Sequence, residues 1–279
     1  MKNISVLLFL LITLALNAQN NKTSGLNARQ FHKYWKVESE SPDYKVTFLG
    51  DTVEILSPKG LTLWRKEKMS GKVTIEYDAC VVVEVEGDRL SDLNCFWMAS
   101  DPQYPDNIWK REKWRSGIFL NCYSLQLYYM GYGGNHNSTT RFRRYDGNEA
   151  AITNAKARPA ILKEYTDADH LLEANKWYHI KITNENNRVS YYINGVRLVD
   201  FRDAAPLTEG WFGFRTTLSR TRIANFHYEC SPQEISEIPL HWIGNTPQQD
   251  RTVSLGVPFS EGELYPENTL QLITERGET

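Results

Sequence analysis

The chain has 279 residues, 41% of them hydrophobic and 24% charged. That is the composition of folded globular material and excludes a disordered or collagen-like chain. The formal net charge of −2 excludes the basic excess expected of a nucleic-acid binder.

Lys2 opens the chain with a positive charge, and Ile4 to Leu16 follows as an apolar run of 13 residues. Such a run is short for a bilayer span and suits the apolar stretch of a secretory signal, with cleavage expected after Ala18. The mature chain is then expected to be exported, to the periplasm or outside the cell in a bacterium, without membrane insertion. Residues 19–26 are expected to be a flexible approach to one domain over 27–231, because 261 mature residues suffice for a large all-β domain.

Period-two alternation is clearest from Val73 to Val85. Val73, Ile75, Tyr77, Ala79, Val81, Val83 and Val85 share one face, with Glu76, Asp78 and Glu84 on the other. Ser100 to Ser116 is a long loop carrying Pro102, Pro105, Trp109 and Trp114. Thr139 to Tyr145 is expected to be a strand with Arg141, Arg143 and Tyr145 on one face. Gly147 to Lys176 is a second long loop with a short helix expected around Asp167 to Ala174. Strands follow at Trp177 to Thr183, Val189 to Ile193 and Val196 to Phe201, the last two joined by Asn194-Gly195, a pair that favours a type I′ hairpin turn. Gly210 to Thr216 and Arg222 to Tyr228 read as two further strands. Many strands and few helical patterns predict an all-β sandwich or jelly roll. Beyond Ser231-Pro232 come Pro239, Pro247, Pro258 and Pro266, in a tail too small for a core of its own. Residues 232–279 are read as a linker and the incomplete start of a second β domain.

Cys80, Cys95, Cys122 and Cys230 permit three disulfide pairings in an exported chain, but a domain of this size needs no staples, and four buried thiols are the favoured reading. No metal-ligand spacing emerges, and no cofactor is required.

Aromatic residues make up 12% of the chain, with 8 Trp and 15 Tyr, more than a core demands. Such rings stack on the C–H faces of sugars. Trp97, Trp109, Trp114, Tyr129 and Tyr132 are the candidate stacking residues. Beside them lies Asn135-His136-Asn137, followed by Arg141, Arg143 and Tyr145. β-Elimination from a uronate needs a group that neutralises the carboxylate, a base for the C5 proton and an acid for the leaving oxygen. Arg141 and Arg143 suit the first task, His136 and Tyr145 the others, with Asn135 and Asn137 as substrate-binding neighbours. The plainer alternative is a glycine-rich turn with a surface histidine, then a strand of arginines in surface ion pairs. Glu76 with Asp78, and Glu84 with Glu86, are same-face acid pairs read as a solvated outer face.

Lys176-Trp-Tyr-His-Ile-Lys-Ile, Asn187 to Phe201 and Gly210-Trp-Phe-Gly-Phe-Arg resemble the closing strands of concanavalin A-like lectin/glucanase (LamG-like) jelly rolls. Arg115-Ser-Gly-Ile-Phe-Leu fits an inner strand of that group. Asp92 to Pro102 and Gly131 to Tyr145 resemble an uncharacterised family of that fold found in bacterial polysaccharide-utilisation proteins. The resemblance implies a carbohydrate context, and a structural Ca²⁺ as that group often holds. In the tail, Ile238-Pro-Leu-His-Trp-Ile-Gly and Val253-Ser-Leu-Gly-Val-Pro-Phe-Ser-Glu-Gly are similar to the start of the N-terminal β-barrel domain of exo-rhamnogalacturonan lyase-like proteins, which implies a lyase-like C-terminal domain absent from this chain. Three readings follow: an enzyme on uronate-containing, rhamnogalacturonan-type plant or algal glycans, a lyase or, in second place, a glycoside hydrolase; a non-catalytic module for an anionic polysaccharide; or a structural domain packed on such an enzyme. One sandwich fold hosts all of these.

Overall fold

The computed structural model describes residues 24–232; the expected signal and most of the tail lie outside them. Thirteen strands follow in chain order: β1 (Trp35–Ser39), β2 (Lys45–Leu49), β3 (Thr52–Arg65), β4 (Met69–Ser70), β5 (Lys72–Val82), β6 (Asn94–Ser100), β7 (Gln126–Gly133), β8 (Thr139–Asp146), β9 (Lys163–Tyr165), β10 (Tyr178–Glu185), β11 (Arg188–Ile193), β12 (Val196–Arg202) and β13 (Glu209–Ser231). They form a jelly-roll sandwich, and every pairing is antiparallel.

Two strands belong to both layers. The first part of β13 pairs with β6 through Trp211 to Arg215, and its later part pairs with β5 through Arg220 to Ser231. The first part of β3 pairs with β2, and its last part with β1. One layer therefore runs β2, β3, β13, β5, β10, β11, β12. The other runs β1, β3, β13, β6, β7, β8, β9. The two strands expected at Gly210–Thr216 and Arg222–Tyr228 are one continuous strand. Its polar middle is an irregularity where the register shifts between Thr217 and Ser219, with Leu218 at φ 50° and its side chain exposed. A bulge of this kind bends a strand without ending it.

The alternation in β5 is realised as read. Val73, Ile75, Tyr77 and Ala79 are buried between the layers, each large side chain contributing roughly 1.5–3 kcal/mol by leaving water. Aromatic rings close the gap: Trp35 meets Phe226 at 4.9 Å, Tyr77 meets Phe214 at 4.8 Å, and Tyr132 meets Tyr178 at 5.2 Å. On the outer face of β5, Glu76 accepts from Lys181 at 2.8 Å and Asp78 pairs with His179 at 2.8 Å. These acids lie on the outer face, as read, and are ion-paired there. Asn194 and Gly195 both take positive φ, 49° and 81°, as the hairpin turn requires.

The layer containing β6, β7 and β8 is covered on its outer face as well. The two long loops fold over it, so Trp64, Phe96, Leu127, Tyr145 and Trp211 bury a second core against Ile108, Cys122, Leu125 and Ala151. Arg115 to Leu120, matched above to an inner strand, belongs to this cover. Glu112–Arg115 is one helical turn, closed by Ser116 in the left-handed region. The helix expected near Asp167 is a single 3-10 turn, Ala168–His170. Ser24 to Leu26 are packed into the domain, the Ser24 carbonyl accepting from Trp35 Nε1 and from Arg65.

Cys80, Cys95 and Cys122 are buried, whereas Cys230 is exposed, and no disulfide joins the four. Burial pushes the Cys95 thiol up to about 12 and the Cys122 thiol up to about 11. The thiolate is the reactive form. Iodoacetamide at pH 8 is therefore expected to leave Cys95 and Cys122 unmodified in the folded protein and to label both in urea, as peptide mass analysis would show.

Candidate functional site

The loop cover leaves one part of the outer face open. Here β8 and β7 place Arg143 opposite Tyr129 and Arg141 opposite Gly131, and β13 places Arg215 opposite Asn94 of β6 and Thr62 of β3. A cavity of about 450 Å³ opens over this face, within the range of small-ligand sites. It gathers Asn135, His136, Arg141, Arg143, Tyr145 and Tyr129 from the sequence reading. To these it adds residues that reading did not single out for the site: Glu40, Arg89, Asp92, Phe119, Arg158 and Arg215.

Gly131 opens the floor: a Cβ there would lie 2.5 Å from the Tyr129 hydroxyl. Phe119, half-buried, forms an aromatic wall with Tyr129 at 5.7 Å and Tyr123 at 5.9 Å. The charge is one-sided, since five arginines line the cavity against the two carboxylates of Glu40 and Asp92. Arg89 pairs with Asp92 at 3.2 Å, and Arg141 pairs with Glu164. Arg143 donates to the Pro159 carbonyl and Arg158 lies 5.8 Å over the Tyr123 ring, neither with a carboxylate partner among the described residues.

His136 sits at the rim on an unusual turn. Gly133, Asn135, His136 and Asn137 all have left-handed φ, between 51° and 65°. Each such non-glycine residue costs roughly 1–2 kcal/mol, and strain of this kind concentrates at functional sites. The turn is held by Asn137, whose amide both donates to the Leu172 carbonyl and accepts from its N–H, at 2.8 Å each. Asn137 is thus an anchor of the turn and does not line the cavity. Replacing His136 with glycine is expected to stabilise the fold by about 0.5–1 kcal/mol, because relief of strain exceeds the added chain entropy. Urea unfolding of the variant checks this; a loss of stability would show that the turn is not strained.

Other candidates lie elsewhere. Trp97 is fully buried between the layers, among Tyr128, Phe142 and Tyr191, on the face of β6 opposite to the cavity. Tyr132 is also buried there and donates to the Leu171 carbonyl at 3.2 Å. Trp109 lines a separate cavity of about 610 Å³ between the edges of β1 and β2, with its ring against Trp211 and under the Lys36 ammonium. Trp114 is 44% exposed, with the Arg111 guanidinium 4.8 Å over its ring. Tyr145 lines the cavity wall from beneath. Its hydroxyl is out of solvent reach and has no hydrogen-bond partner among the described residues, and burial holds its proton far above the ordinary tyrosine range. It is therefore not placed to accept a proton.

The two carboxylates of the cavity are already engaged within the protein. Asp92 is engaged by Arg89, Ser91 and Asn94, and Glu40 by the Gly60 N–H. No group of three His, Cys, Asp or Glu among the described residues is arranged as ligands, whereas Ca²⁺ takes six to eight oxygens.

A family model described as "Domain of unknown function (DUF6250)" matches residues 55–226, more than half of the chain. The chain belongs to this family. The DUF6250 match spans β6 to β8 and so includes most of the cavity. A second model, the N-terminal RIFT barrel domain of PcRGLX-like proteins, matches residues 236–279, beyond the described part. No curated protein matches the sequence. Among solved structures, the DUF6250 fold is similar to a protein of unknown function with a galectin-like fold from Bacillus subtilis, at TM-score 0.59 and 15% identity, covering 75% of this chain and 95% of that one. It is also similar to the exoplasmic/lumenal domain of VIP36 in its Ca²⁺/Man3GlcNAc-bound form, at TM-score 0.51 and 10% identity, covering 76% and 90%. At these identities the likeness shows the jelly-roll fold alone. Among the described residues of the DUF6250 chain, no helix is long and apolar enough to cross a membrane.

Proposed function

We propose that the protein is an exported carbohydrate-binding protein whose glycan sits in the arginine-lined cavity, and that the glycan is a uronate-bearing plant or algal polysaccharide. The observation that carries the reading is the pair Arg143 and Arg158, two guanidinium groups without carboxylate partners among the described residues, beside the Phe119–Tyr129 wall. Guanidinium forks match carboxylates, and aromatic walls receive sugar rings. The similar VIP36 domain holds a saccharide, which agrees with such a use of the fold. The match of residues 236–279 supports a place for this domain, over 27–231, ahead of a barrel domain of a rhamnogalacturonan-lyase-like protein. Calorimetry with acidic pectic oligosaccharides against neutral arabinogalactan tests the reading. Binding of the acidic ligand that weakens with salt is expected, and equal affinity for the neutral one would sink it.

A second reading is a lyase, favoured by His136 lying on the same cavity as Arg141 and Arg143. The arginines would hold the uronate carboxylate while His136 takes the C5 proton. The C4–O bond then breaks, a C4=C5 double bond forms, and the leaving oxygen collects a proton. Since Tyr145 is sealed, that proton would come from protonated His136 or from water. Incubation of the protein with pectic, ulvan-like and arabinogalactan polysaccharides separates the readings. New unsaturated-uronate absorbance establishes the lyase; binding without it leaves the binding module.

A further inference from the structure

The cavity is walled by the segment that follows the first long loop, Gly117 to Phe119, which lies flat on the end of β1 and on β3. A Cβ on Gly60 would come 2.4 Å from the Gly117 carbonyl oxygen, and a Cβ on Gly117 would come 2.7 Å from that of Gly60 and from the Glu40 nitrogen. The two backbones are in contact because neither residue has a side chain. From this seat the Gly117 carbonyl accepts from Arg215 Nη1 at 2.5 Å, and two residues on, Phe119 stands under the same guanidinium at 5.5 Å. Arg215 is buried to 3% exposure, and its other hydrogen-bond partner among the described residues is the Thr62 hydroxyl at 3.4 Å. Its direction is therefore set chiefly by Gly117.

Gly117 is held in turn from beneath. Its N–H donates to Glu38 at 3.4 Å, and the other oxygen of Glu38 accepts from Arg115 at 2.9 Å. Arg115 is fully buried and also donates to the Ile108 carbonyl at 2.7 Å; its next carboxylate, Asp101, is 3.8 Å away and is held by Arg111. Glu38 thus joins β1 to the loop through both of its oxygens.

We infer that Glu38 and Arg115, neither of which lines the cavity, are positioning residues for it. They fix Gly117 and through it the Arg215 guanidinium and the Phe119 ring. The inference rests on the reading of this cavity as the glycan site, and it has a test that does not need the glycan.

The first measurement is amide hydrogen exchange over residues 115–119 in the wild type, Glu38→Gln and Glu38→Asp. Exchange in this segment is expected to rise about tenfold in E38Q, with β5 and β10 unchanged and with partial recovery in E38D. Unchanged exchange at 115–119 overturns the inference. Should E38Q fail to fold, Arg115→Lys takes its place with the same expectation. The second measurement is affinity for an acidic pectic oligosaccharide in E38Q, Arg215→Ala and the double variant. About tenfold loss is expected in each single variant, with the double variant no weaker than R215A, because Glu38 acts through Arg215. Additive losses, or a less stable E38Q with unchanged affinity, overturn it. A wild type that binds no acidic oligosaccharide removes the glycan reading, and the exchange measurement still decides the role of Glu38.

Discussion

Trp97→Ala is expected to lower the unfolding free energy by about 3–5 kcal/mol, because it removes a buried indole and leaves a cavity between the layers. Trp97 is stacked at 5.9 Å on Phe142 and at 6.2 Å on Tyr191, one from each layer, and is tilted against Tyr128 at 5.7 Å. A domain of ordinary stability has about 5–15 kcal/mol in all, so this single change consumes a large part of it. Urea unfolding of W97A and Trp97→Phe provides the check. The phenylalanine variant keeps most of the ring contact and is expected to lose less than half as much. A W97A protein of near-normal stability that binds glycan poorly would instead make Trp97 a ligand residue and contradict its place in the core.

The second large effect concerns ligand and spares the fold. Replacing Arg143 and Arg158 together with alanine is expected to weaken binding of an acidic oligosaccharide about 100-fold, roughly tenfold for each charge-assisted contact. Stability is expected to change by less than about 1 kcal/mol, because neither side chain is in an ion pair with a described carboxylate and both are partly open to solvent. The salt dependence of binding should flatten in the same variant, since fewer charges face the ligand. Calorimetry at two salt concentrations reads both quantities. Undiminished affinity would place the glycan elsewhere, with the Trp109 groove between β1 and β2 as the next site to test.

These residues also mark where sequence reasoning reached and where it stopped. The sandwich is legible in β5 and in the β11–β12 hairpin, since period-two burial and an Asn-Gly turn are local facts. The strand over Thr139 to Tyr145 is legible for the same reason, and so is the convergence of Arg141 and Arg143 with the His136 turn. Which face of a strand meets solvent is not local. Trp97 and Tyr129 are both aromatic residues in strands, yet one fills the gap between layers and the other lines the cavity. Only the pairing of β6 with β7 decides which is which. Arg215 could have been placed on the outer face by counting from Gly213, but its neighbours come from β3, β6 and a loop distant in sequence. Phe119 and Arg158 lie in the loop cover, where no periodicity exists to be read. Tyr145 shares a face with the two arginines as expected, but the loops close over it.

The strand β13 has a mechanical implication. Its early part carries Arg215 into the cavity wall, its middle pairs with β3 as far as Ile223, and its later part pairs with β5 from Arg220 to Ser231. A pull applied beyond Ser231 would act along the strand axis and load its flanking hydrogen bonds together in shear, so that they resist as a set. The same strand is shared by both layers, so the layers cannot slide past one another while it holds. Tension from any attached domain would thus reach the arginine of the cavity through one continuous strand, by way of its two bulges at Leu218 and Asn225.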